Sequence, residues 1–272
     1  TGVGKTDLSI ALARRLNAPI VSCDSRQFYR GMGIGTAAPG PEELRAVPHY
    51  LIQTKDPDET YNCGMFEREA SGLLAELFRT HRNILLVGGS GLYIDALCNG
   101  IDPLPDIDPE LRGTLRERYE TEGLEPLLDQ LRTLDPAYYD TVDRHNPARV
   151  IRALEVCLQS GHPYSALRKG EPKQRDYRVI KIGLNLPREE LYHRIDRRVD
   201  AMLEAGLVEE VRALLPYRRC NALQSVGYKE IFDYLDGTLS LEEAKALIAR
   251  NSRRYAKRQL TWFNRDASVR WF

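Results

Sequence analysis

The chain opens on Thr1-Gly2-Val3-Gly4-Lys5-Thr6, and Asp7 to Leu16 then read as an amphipathic helix. Glycines at this spacing let backbone N–H groups curl around phosphate oxygens, while the positive end of the following helix points at them. Lys5 adds a mobile charge, and the Thr6 hydroxyl is of the kind that holds Mg²⁺ in such loops. The chemistry is polyphosphate binding, with Thr1, Gly2, Val3, Gly4, Lys5 and Thr6 as the cradle. The alternative is a chance Gly-rich turn ahead of a helix; it is disfavoured because the mechanism requires this Gly-x-Gly-Lys-Thr order at a helix start. The full pattern has one more glycine, two residues before Thr1, and a hydrophobic strand before that. The sequence begins inside the motif, so activity is expected of a protein that carries both.

Two more polar turns stand where chemistry could happen. Pro19-Ile20-Val21-Ser22-Cys23 has the pattern of a short buried strand and delivers Asp24-Ser25-Arg26-Gln27 at its C-terminal end. Ile84-Leu85-Leu86-Val87 is a second apolar strand and ends in Gly88-Gly89-Ser90-Gly91-Leu92-Tyr93, a turn into another helix. Open α/β sheets bind ligands at the carboxyl ends of their strands. A fourth signal lies near the C-terminus. From Ala249 to Phe263, helical spacing gathers Arg250, Arg253, Arg254, Lys257 and Arg258 on an arc of about 140°. No Asp or Glu lies between Arg250 and Asn264 to neutralise it, and Tyr255 and Trp262 flank it, which suits phosphate contacts and base stacking. The competing reading is a solvated helix face.

The elements that must position these residues follow from periodicity. Phe66 to Arg82 reads as a helix with Phe66, Leu73, Leu74 and Leu77 on one face, and Gly31 to Pro41 as a polar loop. The alternation predicts an α/β fold: a P-loop NTPase-like parallel sheet flanked by helices, with an inserted all-helical subdomain. Residues 1–105 form the first part of the core. A Pro/Asp-rich connector, Ile101 to Pro109, leads into residues 106–176, which read as helices without a strand. Residues 177–272 complete the core. Within them Tyr177 to Leu186 is expected to be the last parallel strand of the same sheet, and the basic helix is expected to lie far from the phosphate loop.

Composition narrows the class. Of 272 residues, 42% are apolar and 29% charged with zero net charge, so an anionic partner must be met by local clusters rather than by a global field. Cys23, Cys63, Cys98, Cys157 and Cys220 are odd in number and form no C-x-x-C pair, against a disulfide framework or a zinc site. A reduced, cytoplasmic setting is expected. No stretch has the apolar length of a membrane helix, and no membrane partner is expected.

Seven segments occur together in one order: Thr1 to Thr6, Asp24 to Tyr29, Gly35-Thr36-Ala37, Val87 to Tyr93, Ala148 to Glu155, Val226-Gly227-Tyr228-Lys229 and Lys257 to Phe263. In this the chain resembles the isopentenyl-tRNA transferase (tRNA dimethylallyltransferase) family from Thr1 to Phe272. The resemblance implies transfer of a dimethylallyl group from its diphosphate to the exocyclic amine of the adenosine 3′ of the anticodon, with Mg²⁺ held at Thr6. It places Asp24 as base opposite Ser90, which stands where many relatives carry Thr. It also assigns tRNA contacts to Asp24, Ser25, Arg26, Gln27, Ser90, Arg112, Arg149, Arg152, Gln224, Gly227, Tyr228, Lys229, Arg254, Lys257, Arg258, Gln259 and Trp262. The partners so implied are the tRNA anticodon stem-loop and dimethylallyl diphosphate, acted on by a monomer.

One departure bears on this. Relatives commonly have lysine where this chain has Ala38, so a contact in the Gly35-Thr36-Ala37 loop is lost. Rival readings are an adenylate isopentenyltransferase, which would not need the basic stripe, and a P-loop small-molecule kinase, against which the second strand ends in Gly-Gly-Ser without an acid. A non-catalytic tRNA-binding protein is opposed by the intact Asp24, Lys5, Thr6 and Ser90.

Overall fold

The structure, a computed structural model, describes all residues from Thr1 to Phe272. In chain order the elements are α1 (Lys5–Leu16), β1 (Ile20–Ser22), α2 (Pro41–Ala46), β2 (His49–Tyr50), α3 (Cys63–Leu77), β3 (Leu85–Val87), α4 (Gly91–Asn99), α5 (Pro109–Glu122), α6 (Glu125–Leu134), α7 (Pro136–Tyr139), α8 (Pro147–Ser160), α9 (Tyr164–Leu167), β4 (Ile182–Gly183), α10 (Arg188–Glu204), α11 (Leu207–Ala213), α12 (Tyr228–Leu235), α13 (Leu241–Phe263) and β5 (Arg270–Trp271). They divide into two compact units: Thr1–Cys98 with Arg175–Phe272, and Asn99–Gln174.

The first unit is α/β. Its sheet runs β2-β1-β3 with every pair parallel, Val21 opposite Tyr50 on one side and Leu86 on the other. β1 is buried along its length, as a central parallel strand must be. Behind it α3 packs Phe66, Ala70, Leu74 and Leu77 against Val21, Cys23 and Phe28. The helix begins at Cys63 rather than Phe66 because the Asn62 side chain accepts the N–H groups of Gly64 and Met65, and it stops at Leu77 instead of running to Arg82. A second core joins the helical residues Leu207, Val211, Tyr228, Ile231, Phe232 and Ile248 to Tyr29 and Met32 of the loop after β1.

The run from Tyr177 to Leu186 departs from expectation. Only Ile182 and Gly183 are extended, and they pair with Arg270 and Trp271 in a separate two-stranded parallel sheet. The C-terminal residues hold the run along one edge. The N–H of Arg270 donates to Lys181 (3.0 Å), that of Phe272 to Gly183 (2.9 Å), and that of Asn185 back to Phe272 (2.9 Å). Between this run and β3 lies an apolar slot of about 340 Å³, lined by Leu8, Leu12, Leu86, Ile182, Leu184 and Trp271, so no ladder joins the two.

The second unit contains α5 to α9, packed on Leu115, Leu127, Leu131, Val150 and Leu154. It starts at Asn99, seven residues before the boundary read from composition at 106. The Pro/Asp connector belongs to it because the segment is held from the far end of the unit: Lys173 N–H donates to Asn99 (2.7 Å) and Gly170 N–H to the Asp102 carboxylate (3.0 Å).

Candidate active site

A cavity of about 1060 Å³ opens at the carboxyl ends of β1 and β3 in the first unit. Its walls are the loop before α1 (Thr1, Gly4, Lys5, Thr6), the turn after β1 (Asp24 to Gln27), Gly88 after β3, and one face each of α10 and α13. Gly4 caps α1 in the left-handed region, at φ 83°, which turns the chain so that Lys5 and Thr6 start the helix at the cavity wall. Thr6 therefore lines the cavity beside Lys5.

The two sheet turns meet through a close backbone approach. A Cβ on Gly88 would lie 2.5 Å from Cys23 Sγ and 2.7 Å from the Cys23 carbonyl carbon, so only glycine lets β3 turn beside β1 here. Ser90 is consequently brought to the acidic turn. Its hydroxyl accepts the Ser25 N–H at 2.9 Å and donates to Ser25 Oγ at 3.0 Å, and only 8% of the residue remains exposed. Asp24 closes an Asx-turn, accepting the Arg26 N–H on Oδ1 at 2.9 Å. Its other carboxylate oxygen has no protein donor and stays open to the cavity wall that Asp24 helps form. Asp24 and Ser90, read as the reacting pair, are thus adjacent.

Electrostatics single out the same pocket. Desolvation pulls the Lys5 ammonium below its usual pKa, and the Asp24 carboxylate opposes this. Arg198 of α10 shows the same pattern: burial lowers it, and the charge of Asp24 holds it up. Two desolvated cations thus share one carboxylate, a surplus of positive charge that a diphosphate would neutralise. Arg198 was not foreseen. The signal lay in Arg194 and Arg198, four residues apart and so on one face of α10, but neighbouring Arg197 made the face look like ordinary surface charge. Arg194 Nη1 comes within 3.7 Å of where a Gly4 Cβ would stand, although its guanidinium is also paired with Glu190.

Several expected RNA contacts are placed otherwise. Tyr228 is fully buried, and its hydroxyl donates to Glu210 at 2.7 Å. Glu210 also accepts the N–H groups of Ile34 (2.7 Å) and Gly35 (2.9 Å), so Tyr228 anchors the Gly35-Thr36-Ala37 loop from behind and offers nothing to RNA. Burial and the Glu210 charge push its phenol pKa well up. Tyr228→Phe should therefore cost about 1–2 kcal/mol in urea unfolding and leave tRNA affinity within two-fold. Weakened RNA binding without loss of stability would return Tyr228 to the interface. Gly227 is likewise buried, its N–H donated to Glu230 at 2.8 Å. The Gln27 amide holds the same loop through Thr36 and Ala37, while Gln224 and Lys229 are exposed.

The basic helix is close to the phosphate loop, not far from it: Arg254 and Arg258 line the same cavity as Lys5. It is also not free of acids in three dimensions, since Asp196 of α10 pairs with Arg253 at 2.9 Å. Arg254, Lys257 and Arg258 are exposed, and no ion pair neutralises them. Arg258 lies over the Tyr255 ring, and Trp262 donates its indole N–H to Asp95 at 2.9 Å. In the second unit, Arg112 and Arg152 both grip the buried Glu155 (2.8 and 3.2 Å), whereas Arg149 is exposed. No cluster of three acidic, His or Cys side chains could cage a metal. No helix is long and apolar enough to cross a membrane.

The chain is similar over its whole length to known proteins. The family model described as IPP transferase matches residues 27–266. The chain is 54% identical, over its whole length and 91% of the relative's, to tRNA dimethylallyltransferase 2 of Porphyromonas gingivalis, and 51% identical over its whole length and 88% of the relative's to tRNA dimethylallyltransferase 1 of Bacteroides thetaiotaomicron. Among solved structures it resembles the full-length tRNA isopentenylpyrophosphate transferase of Bacillus halodurans (43% identity, TM-score 0.71, covering 100% of this chain and 86% of that one). It also resembles a eukaryotic dimethylallyltransferase acting on tRNA (26% identity, TM-score 0.83, covering 100% and 71%). With a phosphate loop, an open carboxylate beside a serine and these full-length relatives, the chain belongs to the IPP transferase family.

Proposed function

We propose that the protein transfers a dimethylallyl group from dimethylallyl diphosphate to N6 of the adenosine 3′-adjacent to the anticodon of tRNA. The observation that carries this reading is the shared pocket: two desolvated cations, Lys5 of the phosphate loop and Arg198 of α10, line it with the Asp24 carboxylate, and the buried Ser90 hydroxyl is held to the same turn. An exocyclic aryl amine is a weak nucleophile, so it needs a base at the proton it loses. Asp24 accepts that proton as N6 bonds to the allylic carbon. Ser90 hydrogen-bonds the amine and orients it. The C–O bond to the diphosphate breaks with its electron pair, and Lys5, Arg198 and the loop N–H groups receive the growing charge. Thr6 would hold Mg²⁺, which when bound neutralises part of the leaving diphosphate.

The target base is stacked in an anticodon loop, so it must be extruded to reach Asp24. Arg254, Lys257 and Arg258 would take the phosphates beside it. The five cysteines are free and suit a reducing cytosol. Lys5, Asp24, Ser90 and Arg198 all come from one chain, which is compatible with action as a monomer.

The direct test is incubation with labelled dimethylallyl diphosphate and, separately, tRNA, AMP or ATP. Label is expected in tRNA alone. Label in AMP would move the protein to the free-nucleotide class, and phosphate transfer from ATP to a small acceptor would make it a kinase. The RNA footprint has its own test. Replacing Arg254, Lys257 and Arg258 together by Ala should weaken tRNA binding and flatten the slope of log K against log[salt] by about two to three units. An unaltered slope would mean that these side chains form only a solvated face.

A further inference from the structure

Gln259 is the residue whose surroundings fit its expected role least. An RNA contact needs an amide with free donors and acceptors at the surface. Gln259 instead spends its amide on two loops of the active site. Its Oε1 accepts from the Thr1 hydroxyl at 2.8 Å, and its Nε2 donates to the Gly89 carbonyl at 2.8 Å. Both ends of the amide are therefore engaged. The fit is tight: a Cβ on Gly89 would stand 2.1 Å from Nε2, so the turn before Ser90 is shaped around this side chain. One helical turn earlier, Tyr255 lies beside both Gln259 and Ser90. Arg254, Lys257 and Arg258 stand on the exposed side of the same stretch of α13.

We propose that Gln259 is a positioning residue of the transfer reaction, tying α13 to the phosphate loop at Thr1 and to the Gly-Gly-Ser turn at Gly89, rather than a residue that reads RNA. It rests on the function proposed above. Thr1 belongs to the cradle for the leaving group and Ser90 contacts the incoming amine, so one amide fixes the spacing between the two partners of the bond being exchanged. Positioning of this kind acts on the rate and on donor binding, because a displacement of about 1 Å is worth about 10²-fold in a reaction between held groups. It leaves the electrostatic grip on tRNA untouched.

The test is Gln259→Met, which keeps length and shape and removes both polar ends, examined alone and with Thr1→Val. Wild-type enzyme and Asp24→Asn run alongside. Turnover at saturating tRNA and donor should fall about 10- to 50-fold, with a raised KM for dimethylallyl diphosphate. The Kd for the anticodon stem-loop and its salt slope should stay within two-fold of wild type. The double variant should be little worse than Gln259→Met, since both changes break the same hydrogen bond. Normal turnover with weakened stem-loop binding would overturn the proposal and make Gln259 an RNA contact. A lowered melting temperature with normal turnover below it would overturn it in favour of a purely structural role, and so would strictly additive effects. Calorimetric titration with inorganic pyrophosphate is independent of tRNA and of prenyl transfer: Gln259→Met should weaken that Kd at least five-fold, and an unchanged Kd counts against the tie. Absence of prenyl transfer in the wild type would instead sink the functional reading, an outcome distinct from any defect confined to the variant.

Discussion

Asp24→Asn is expected to lower kcat by about 10²- to 10⁴-fold, the range a positioned general base contributes. The substitution is nearly isosteric. An Asn oxygen can still accept the Arg26 N–H that closes the turn, so the loop keeps its shape and only basicity and charge are lost. The charge matters in the opposite direction for the donor. Asp24 is the carboxylate that offsets Lys5 and Arg198, and without it both cations are left to the diphosphate. The KM for dimethylallyl diphosphate should therefore stay level or fall while kcat collapses, and stem-loop affinity should change by no more than a few-fold. Such a split isolates proton removal from substrate binding. Near-normal turnover would remove Asp24 from the chemistry, and a raised donor KM as the main defect would make it a binding residue.

Much of this site was legible in the sequence because its parts are local. A phosphate loop is a contiguous run, and Asp24 and Ser90 each follow an apolar strand, so their meeting at one sheet edge follows from parallel topology alone. What was not legible depends on partners distant in sequence. Tyr228 looks like a surface aromatic beside Lys229 until Glu210 and the Ile34–Gly35 backbone close on its hydroxyl. The basic stripe looks unneutralised along the chain, yet Asp196 reaches Arg253 from another helix. Arg198 shares a face of α10 with Arg194, but only the packing of α10 beside the loop brings it into the cavity with Lys5. The Tyr177 to Leu186 run shows the same limit for the fold. Its β character was evident, but its partner, Arg270–Trp271, is two residues long and too short for periodicity to reveal.

Lys5→Ala separates leaving-group chemistry from simple occupancy of the pocket. At about 4 Å and an effective dielectric of about 20, one ammonium–phosphate interaction is worth on the order of 4 kcal/mol, and removing it is expected to cost about 10²- to 10³-fold in kcat/KM. The loss should be shared between the two constants. The donor already carries most of the diphosphate charge when it binds, so KM rises. More charge reaches the bridging oxygen as the C–O bond breaks, so kcat falls as well. Arg198 predicts the bound on the effect: because it is desolvated in the same cavity, it continues to hold the diphosphate when Lys5 is gone, and pairing Lys5→Ala with Arg198→Ala should abolish donor binding. A kinase with this loop would behave differently, losing ATP hydrolysis or phosphate transfer in the Lys5 variant in proportion to an activity that the wild type would have to possess. If the wild type hydrolyses no ATP and the Lys5 variant loses prenyl transfer through both constants, the loop serves a departing diphosphate and transfers no phosphoryl group.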